Sequence, residues 1–135
     1  MAKVLSIDDS RAVHAYLRDC FAGSNIELAH AFSAQEGFDI LLGAHASGAA
    51  ESKYDLIFLD WEMPGMSGPE VLVKIREAGI RVPVIMVTSK NSSQNISEVL
   101  TKGAQEYVMK PFTEDILFSK IEDVIGLKVT KDGAH

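Results

Sequence analysis

The sequence YDLIFLDWEMPGMSG, at residues 54–68, gives the clearest indication of the fold. Its first half is a near-continuous apolar run, which is typical of a central parallel strand buried on both faces. The run ends at Asp60, and a loop rich in proline and glycine follows. Pro69 then suits the first turn of a helix. The stretch therefore predicts a buried strand that ends in a carboxylate, a loop and a crossover helix.

The same strand-then-helix unit recurs on both sides of this stretch. Apolar residues at helical spacing predict a helix after each strand, and Thr113 is placed to cap the last one. Such alternation implies a parallel sheet with helices on both faces and right-handed crossovers. The sequence thus predicts a doubly wound α/β fold of five units. The other four strands are expected at residues 3–7, 26–32, 82–87 and 105–109.

One domain is expected over residues 1–127, with a flexible polar tail at 128–135. The second helix is predicted to end near Leu42. The segment 43–53 is rich in glycine, alanine and serine, which favours a loop or a helix extension with a flexible tip. No internal repeat or interdomain linker is visible in the sequence.

Composition excludes several classes of partner. The formal net charge is −6, whereas binding to nucleic acid needs a basic footprint. No cluster of Lys or Arg suggests a membrane surface, and the longest apolar runs are too short to span a bilayer. The single cysteine, Cys20, allows no intramolecular disulfide and falls on the apolar stripe of the first helix. We therefore expect a soluble, cytoplasmic protein that binds neither nucleic acid nor membrane.

Polar residues gather where the predicted strands end. Asp8 and Asp9 follow the first strand, Asp60 ends the third, Thr88 the fourth and Lys110 the fifth. All carboxyl ends of a parallel sheet share one edge, so these side chains are expected to converge. Taken singly, each has a simple structural interpretation as a helix cap, a turn former or a solvated side chain. Together, three carboxylates, a hydroxyl and an ammonium at one edge indicate a site.

The three carboxylates predict a bound cation. Two carboxylates about 4 Å apart repel by roughly 4 kcal/mol at an effective dielectric of about 20. The expected ligands are hard oxygens, which favour Mg²⁺, with Mn²⁺ as a substitute. His14 and His30 take ordinary helix and strand positions, without metal-ligand spacing. A magnesium site of this kind suits phosphoryl transfer, and an aspartate can serve as the nucleophile.

Four motifs in order carry a family resemblance: VLSIDDS, YDLIFLDWEMPGMSG, VPVIMVTS and GAQEYVMKPF. With them, the chain resembles response regulator receiver domains over residues 3–126, particularly the stand-alone chemotaxis type. The resemblance implies a five-stranded sheet in the order 2-1-3-4-5. It also implies a switch in two-component signal transduction rather than an enzyme, with only self-phosphorylation and autodephosphorylation.

The resemblance assigns the metal and acceptor residues. Asp60 would be the phosphorylated residue and would also contact Mg²⁺. Asp9 would ligate the ion directly, and Asp8 mainly through a bound water. The backbone carbonyl of Glu62 would be a further protein ligand.

The resemblance also assigns the residues around the phosphoryl group. Thr88 and Lys110 would each contact a phosphoryl oxygen, and the Lys110–Pro111 peptide would be cis. Tyr107 resembles the switch aromatic of the family, which rotates inward when Thr88 moves toward the phosphoryl group. A strand tyrosine with its hydroxyl in water is the alternative for Tyr107.

The implied partners are a sensor histidine kinase or phosphotransfer domain as donor, and a downstream protein that reads the face of the fourth helix, fifth strand and fifth helix. Three features depart from the common family pattern: the longer segment 43–53, Glu62 as a fourth carboxylate, and Lys90 two residues after Thr88. Both Glu62 and Lys90 are expected to affect the lifetime of the phosphoryl group.

Other functions stay open at this stage. An Mg²⁺-dependent phosphatase with an aspartyl-phosphate intermediate would need a second Asp two residues after the first, where this chain has Glu62. A nucleotide- or flavin-binding module is disfavoured, because no glycine-rich loop follows the first strand. The chain could also be a receiver fragment of a larger regulator, although the last helix is expected to end near Leu127 with no output domain after it.

Overall fold

The computed structural model describes residues 2–46, 54–89 and 93–131. Within these ranges, strands and helices alternate along the chain, and the five strands form one parallel sheet in the order β2-β1-β3-β4-β5. This architecture confirms the predicted doubly wound α/β fold. The elements are β1 (Ala2–Ile7), α1 (Arg11–Phe21), β2 (Ile26–Ala31), α2 (Ala34–Ala46), β3 (Leu56–Asp60), α3 (Gly68–Glu77), β4 (Val84–Thr88), α4 (Ser93–Thr101), β5 (Glu106–Met109) and α5 (Glu114–Ile125).

The sheet is covered on both faces, and side chains of β3 alternate between two cores. Leu56 and Phe58 pack with α1 and α5, whereas Ile57 and Leu59 pack with α2, α3 and α4. All residues of β3 and β4 are buried. Each large apolar side chain that leaves water contributes roughly 1.5–3 kcal/mol. The two cores therefore hold the carboxyl ends of the central strands at fixed positions.

The start of the fourth strand and the end of the second helix differ from the predicted positions. The fourth strand, predicted from residue 82, begins at Val84, because Pro83 has no N–H to donate to the ladder. The second helix, predicted to end near Leu42 or to extend into the segment 43–53, continues to Ala46. The first part of the segment 43–53 is therefore helical, and its remainder, 47–53, lies outside the described residues.

Local capping explains where the helices that flank the site begin. Ser10 caps α1 by accepting a hydrogen bond from the Val13 N–H. Ser67 caps α3 in a reciprocal capping box with Glu70. Thr113 caps α5, as predicted, by accepting from the Ile116 N–H. These caps fix where the loops at the carboxyl edge of the sheet end and the helices begin.

The residues after α5 differ from the flexible tail that was predicted from residue 128. Val129 is buried, and the backbone of Thr130 exchanges hydrogen bonds with Asn25. The Asn25 side chain also donates to the carbonyl of Lys128 at 2.9 Å. Residues 128–131 thus pack against the start of β2, because an apolar side chain and the Asn25 amide anchor them. Residues 132–135 lie outside the described part.

None of the helices in the described ranges combines the length and the apolar character that a membrane span requires.

Candidate functional site

The three aspartates predicted to converge do lie together. Ile7 of β1 pairs with Leu59 of β3, so Asp8 and Asp60 are neighbours at the carboxyl edge. Each of Asp8, Asp9 and Asp60 offers a carboxylate oxygen within 4.8 Å of the others. Asp8 and Asp60 are buried, and Asp9 is exposed. The acidic cluster, as we name these three residues, is therefore open to solvent on the side of Asp9.

Lys110 completes the cluster from the end of β5. Its Nζ lies 2.9 Å from Oδ1 of Asp60 and 3.3 Å from Oδ2 of Asp8. The Lys110–Pro111 peptide is cis, as the family resemblance implied. Although burial opposes it, the hydrogen bond to Asp60 and the charge of Asp8 raise the pKa of Lys110. One ammonium thus partly neutralises two buried carboxylates.

The charge balance at Asp60 stays unfavourable despite Lys110. Burial raises the pKa of Asp60 to about 6, and the charges of Asp8 and Asp9 add to this effect, while the hydrogen bond from Lys110 opposes it. The carboxylate is therefore mostly ionised at neutral pH. A divalent cation bound to the acidic cluster would relieve the remaining repulsion, and an all-oxygen donor set suits Mg²⁺.

Asp8 is held by its own surroundings. Its Oδ1 accepts a hydrogen bond from the backbone N–H of Ser10 at 2.9 Å, while its Oδ2 faces Lys110. Its backbone N–H donates to the carbonyl of Ala31 in β2 at 3.1 Å. The side chain and main chain of Asp8 therefore have fixed partners at the start of α1.

Thr88 lies on β4, which pairs with β3, and Tyr107 lies on β5, which pairs with β4. Thr88 is the last residue of β4; it is buried, and its carbonyl accepts a hydrogen bond from the N–H of Lys110 at 2.7 Å. Tyr107 of β5 pairs with Met86 of β4. The ring of Tyr107 is half-buried, and the Lys120 ammonium lies 5.4 Å from its centroid. The structure thus places Thr88 next to the acidic cluster edge and Tyr107 further back along β5.

The loop after β3 carries Glu62, which is exposed, and a close contact that the sequence did not indicate. The N–H of Gly68 donates to the carbonyl of Trp61 at 2.8 Å. A Cβ atom at Gly68 would lie 2.3 Å from the backbone oxygen of Asp60. Any larger residue would therefore push α3 away from β3, so the close contact with the backbone of Asp60 requires glycine at position 68. Lys90, the other predicted tuning residue, lies outside the described residues.

The histidines do not have the ordinary surroundings expected from the sequence. His14 is buried, and its Nε2 lies 2.8 Å from the backbone oxygen of Asp8. Its Nδ1 lies 2.6 Å from Nδ1 of His30. The available signal was the helical spacing of His14 with Leu17 and Phe21, which puts it on the buried stripe of α1. Only the tertiary fold could bring His30 beside it.

The family model of the response regulator receiver domain matches residues 4–122. Among curated relatives, a chemotaxis protein CheY homolog of Campylobacter jejuni is 28% identical over 127 residues, which cover 92% of each protein. The transcriptional regulatory protein DltR of Streptococcus agalactiae is 29% identical over 119 residues, covering 88% of this chain and 50% of DltR. The chain thus spans about half the length of DltR and nearly all of the CheY homolog.

Solved structures show the same likeness. The receiver domain of the Francisella response regulator 1452 has a TM-score of 0.81 and 28% identity, covering 93% of this chain and 98% of that one. A CheX-CheY-BeF3-Mg complex from Borrelia burgdorferi has a TM-score of 0.80 and 26% identity, covering 94% and 90%. Since the family model covers most of the chain, this protein belongs to the response regulator receiver domain family of two-component systems.

Proposed function

We propose that this receiver accepts a phosphoryl group on Asp60, and that phosphorylation changes a surface that another protein recognises. The observation that carries the proposal is the position of the Asp60 carboxylate. It is buried within the acidic cluster and lies 2.9 Å from the ammonium of Lys110. A nucleophilic oxygen, a set of metal ligands and a cation for phosphoryl oxygens therefore occur together.

The cofactor in this proposal is Mg²⁺, with Mn²⁺ as a substitute. Asp8, Asp9 and Asp60 would hold the ion, together with the backbone carbonyl of Glu62. When bound, the ion would offset the charge of the carboxylates and of the incoming phosphate oxygens. The three carboxylates fit this role because they are hard oxygen donors that lie within 4.8 Å of one another.

The proposed reaction is a transfer from a phosphohistidine of a sensor kinase or phosphotransfer domain. An Asp60 carboxylate oxygen attacks phosphorus, the P–O bond forms, the P–N bond breaks, and the imidazole of the donor leaves. Lys110 stabilises charge on the phosphoryl oxygens, and the Thr88 hydroxyl donates to one of them. Asp60 is ready to attack because its carboxylate is mostly ionised above a pKa of about 6.

The proposed output is a change on the face formed by α4, β5 and α5. Tyr107 lies on this face two residues before Met109, which pairs with Thr88, so the two candidate switch residues are on neighbouring strands. Movement of Thr88 toward the phosphoryl group would make room for the Tyr107 ring. A downstream protein in the cytoplasm would read the difference. The protein would not turn over an external substrate.

Intact-mass spectrometry after treatment with acetyl phosphate, with and without Mg²⁺, tests the proposal. We expect one added phosphoryl group that requires Mg²⁺ in the wild type and is absent in Asp60→Asn. Asp123→Asn, at an exposed position of α5, removes the same charge outside the site and should label normally. Full labelling of Asp60→Asn would place the acceptor elsewhere. Repeated turnover of a phosphomonoester would support the phosphatase alternative instead.

A further inference from the structure

His14 is the buried polar residue that contacts the main chain of the acidic cluster. It lies on the inner face of α1, its side chain is 1% exposed, and its Nε2 is 2.8 Å from the backbone oxygen of Asp8. A carbonyl oxygen can only accept a hydrogen bond, so Nε2 of His14 carries a proton and donates it. The bond reaches the peptide group that joins Asp8 to Asp9.

His30 fixes the opposite side of the His14 ring. The Nδ1 atoms of the two rings are 2.6 Å apart. With its Nε2 proton engaged, a neutral His14 presents Nδ1 as an acceptor, and Nδ1–H of His30 donates to it. Burial lowers the pKa of His30, and the charge of Arg18 acts in the same direction, which agrees with a neutral His30 ring. His30 is positioned in turn by β2, where it pairs with Ser6.

Packing restricts the His14 ring further. The ring of His30 meets it edge-on at 4.6 Å between centroids, and the ring of Phe32 lies at 4.4 Å. The guanidinium of Arg11 lies 5.3 Å from the Phe32 centroid. His14 therefore has two hydrogen-bond partners and two ring neighbours. A side chain held by these contacts can keep its hydrogen-bond acceptor, the Asp8 carbonyl, at a fixed position.

His14 and His30 together hold the peptide group between Asp8 and Asp9 in place. The N–H of Asp8 donates to Ala31 of β2, and its carbonyl accepts from His14, so the main chain is fixed on both sides. Asp9 follows directly, and it is the exposed member of the acidic cluster. We propose that His14, oriented by His30, is a positioning residue that sets the Asp8–Asp9 peptide for binding of the divalent cation and for phosphoryl transfer. This inference rests on the proposed function of the acidic cluster.

Three variants separate positioning from general stability. His14→Leu fills a similar volume but cannot donate, whereas His14→Gln keeps an amide N–H that can reach the Asp8 carbonyl. Phe21→Leu alters another buried residue of α1 and is the matched control, because its ring stacks on Phe58 and Phe118. Mg²⁺ affinity is followed by the fluorescence of Trp61, the single tryptophan, alongside the rate of labelling by acetyl phosphate and the melting temperature without metal.

We expect His14→Leu to weaken Mg²⁺ binding by roughly 10-fold, the lower end of the range for residues that orient metal ligands. His14→Gln should recover most of this loss, and Phe21→Leu should lower the melting temperature with unchanged Mg²⁺ affinity. If His14→Leu binds Mg²⁺ and labels like the wild type, the positioning role is wrong. A wild type that neither binds Mg²⁺ nor labels would instead refute the proposed function itself.

A spectroscopic readout tests the same inference without metal or phosphodonor. Nitrogen chemical shifts of the His14 ring should report a neutral ring protonated at Nε2, and His30→Leu should perturb them while the chain stays folded. An Nδ1-protonated His14, or a ring insensitive to His30→Leu, would overturn the assignment. This measurement also decides the matter if His14→Leu fails to fold.

Discussion

At the scale of single residues, the main feature of the site is that its buried carboxylates outnumber the ammonium group beside them. Asp8 and Asp60 are both buried, yet one ammonium, that of Lys110, serves both of them. Burial raises the pKa of Asp60 to about 6, and the negative charges of Asp8 and Asp9 add to this effect. Such a site favours any ligand that brings positive charge, which is the physical basis for the proposed cation.

Gly68 is the residue at which a single methyl group should matter most. Gly68→Ala puts a Cβ atom against the backbone of Asp60 and Trp61, and overpacking of this kind costs roughly 1–3 kcal/mol of the free energy of unfolding. Slower labelling by acetyl phosphate should accompany this loss, because α3 shifts against the acceptor strand. Urea denaturation and intact mass provide the two measurements.

Gly43→Ala is the matched control for this substitution. Gly43 lies within α2, and a Cβ atom there would meet nothing within 4 Å. Alanine is a better helix former than glycine, so this variant should gain roughly 0.5–1 kcal/mol. Equal effects of the two substitutions would show that the contact at Gly68 has no energetic weight.

At the scale of elements, the residues of the candidate site lie at the ends of strands and beside the starts of helices. β3 ends at Asp60 and β4 ends at Thr88, so both residues belong to the ladder itself and pair with Val87 and Met109. Their backbones are therefore fixed by sheet hydrogen bonds rather than by loop conformation. The caps at Ser10 and Ser67 do the same for the helices that begin beside the cluster.

The segment after α5 should contribute to stability, in contrast to a frayed tail. Removing residues 128–135 should lower the free energy of unfolding by roughly 1–3 kcal/mol, since a buried valine and hydrogen bonds to Asn25 are lost while chain entropy is recovered. Removing 132–135 alone retains those contacts and is the control. Identical urea midpoints for the two truncated proteins would contradict this account.

At the scale of the whole molecule, the fold is a means of bringing distant residues to one edge. Asp8, Asp60 and Lys110 are far apart in sequence, and parallel pairing with crossover helices puts them all at carboxyl ends of adjacent or nearby strands. Two buried cores, one on each face of the sheet, keep that edge in place. Binding at the edge is therefore coupled to the stability of the entire domain.

Mg²⁺ should raise the melting temperature, because binding at the carboxyl edge requires the folded domain. A cation that binds only the folded acidic cluster adds about 2.7 kcal/mol to the free energy of unfolding when its concentration is 100 times the dissociation constant. Differential scanning calorimetry at constant ionic strength measures the shift. Asp9→Asn, which removes the exposed carboxylate of the proposed metal site, should reduce it, and an unchanged melting temperature of the wild type in saturating Mg²⁺ would count against a metal site.

Patterns along the chain were enough to predict the alternation of elements, the parallel sheet and the identity of the acids at the strand ends. Apolar runs, helical spacing and polar residues that end a strand are local patterns, so they could be read without coordinates. The boundaries moved where a local detail intervened, as with Pro83 at the start of β4. The order of the strands was implied by family resemblance rather than by any local pattern.

Contacts between segments that are distant in sequence depend on the packing of the whole fold. The pair of His14 and His30, the close approach of Gly68 to Asp60, and the docking of Val129 were not predicted. Each depends on how two elements pack, and packing distances are set by all the side chains between them rather than by spacing along the chain. For the same reason, the sequence could name the acids of the site but not the residues that hold them in position.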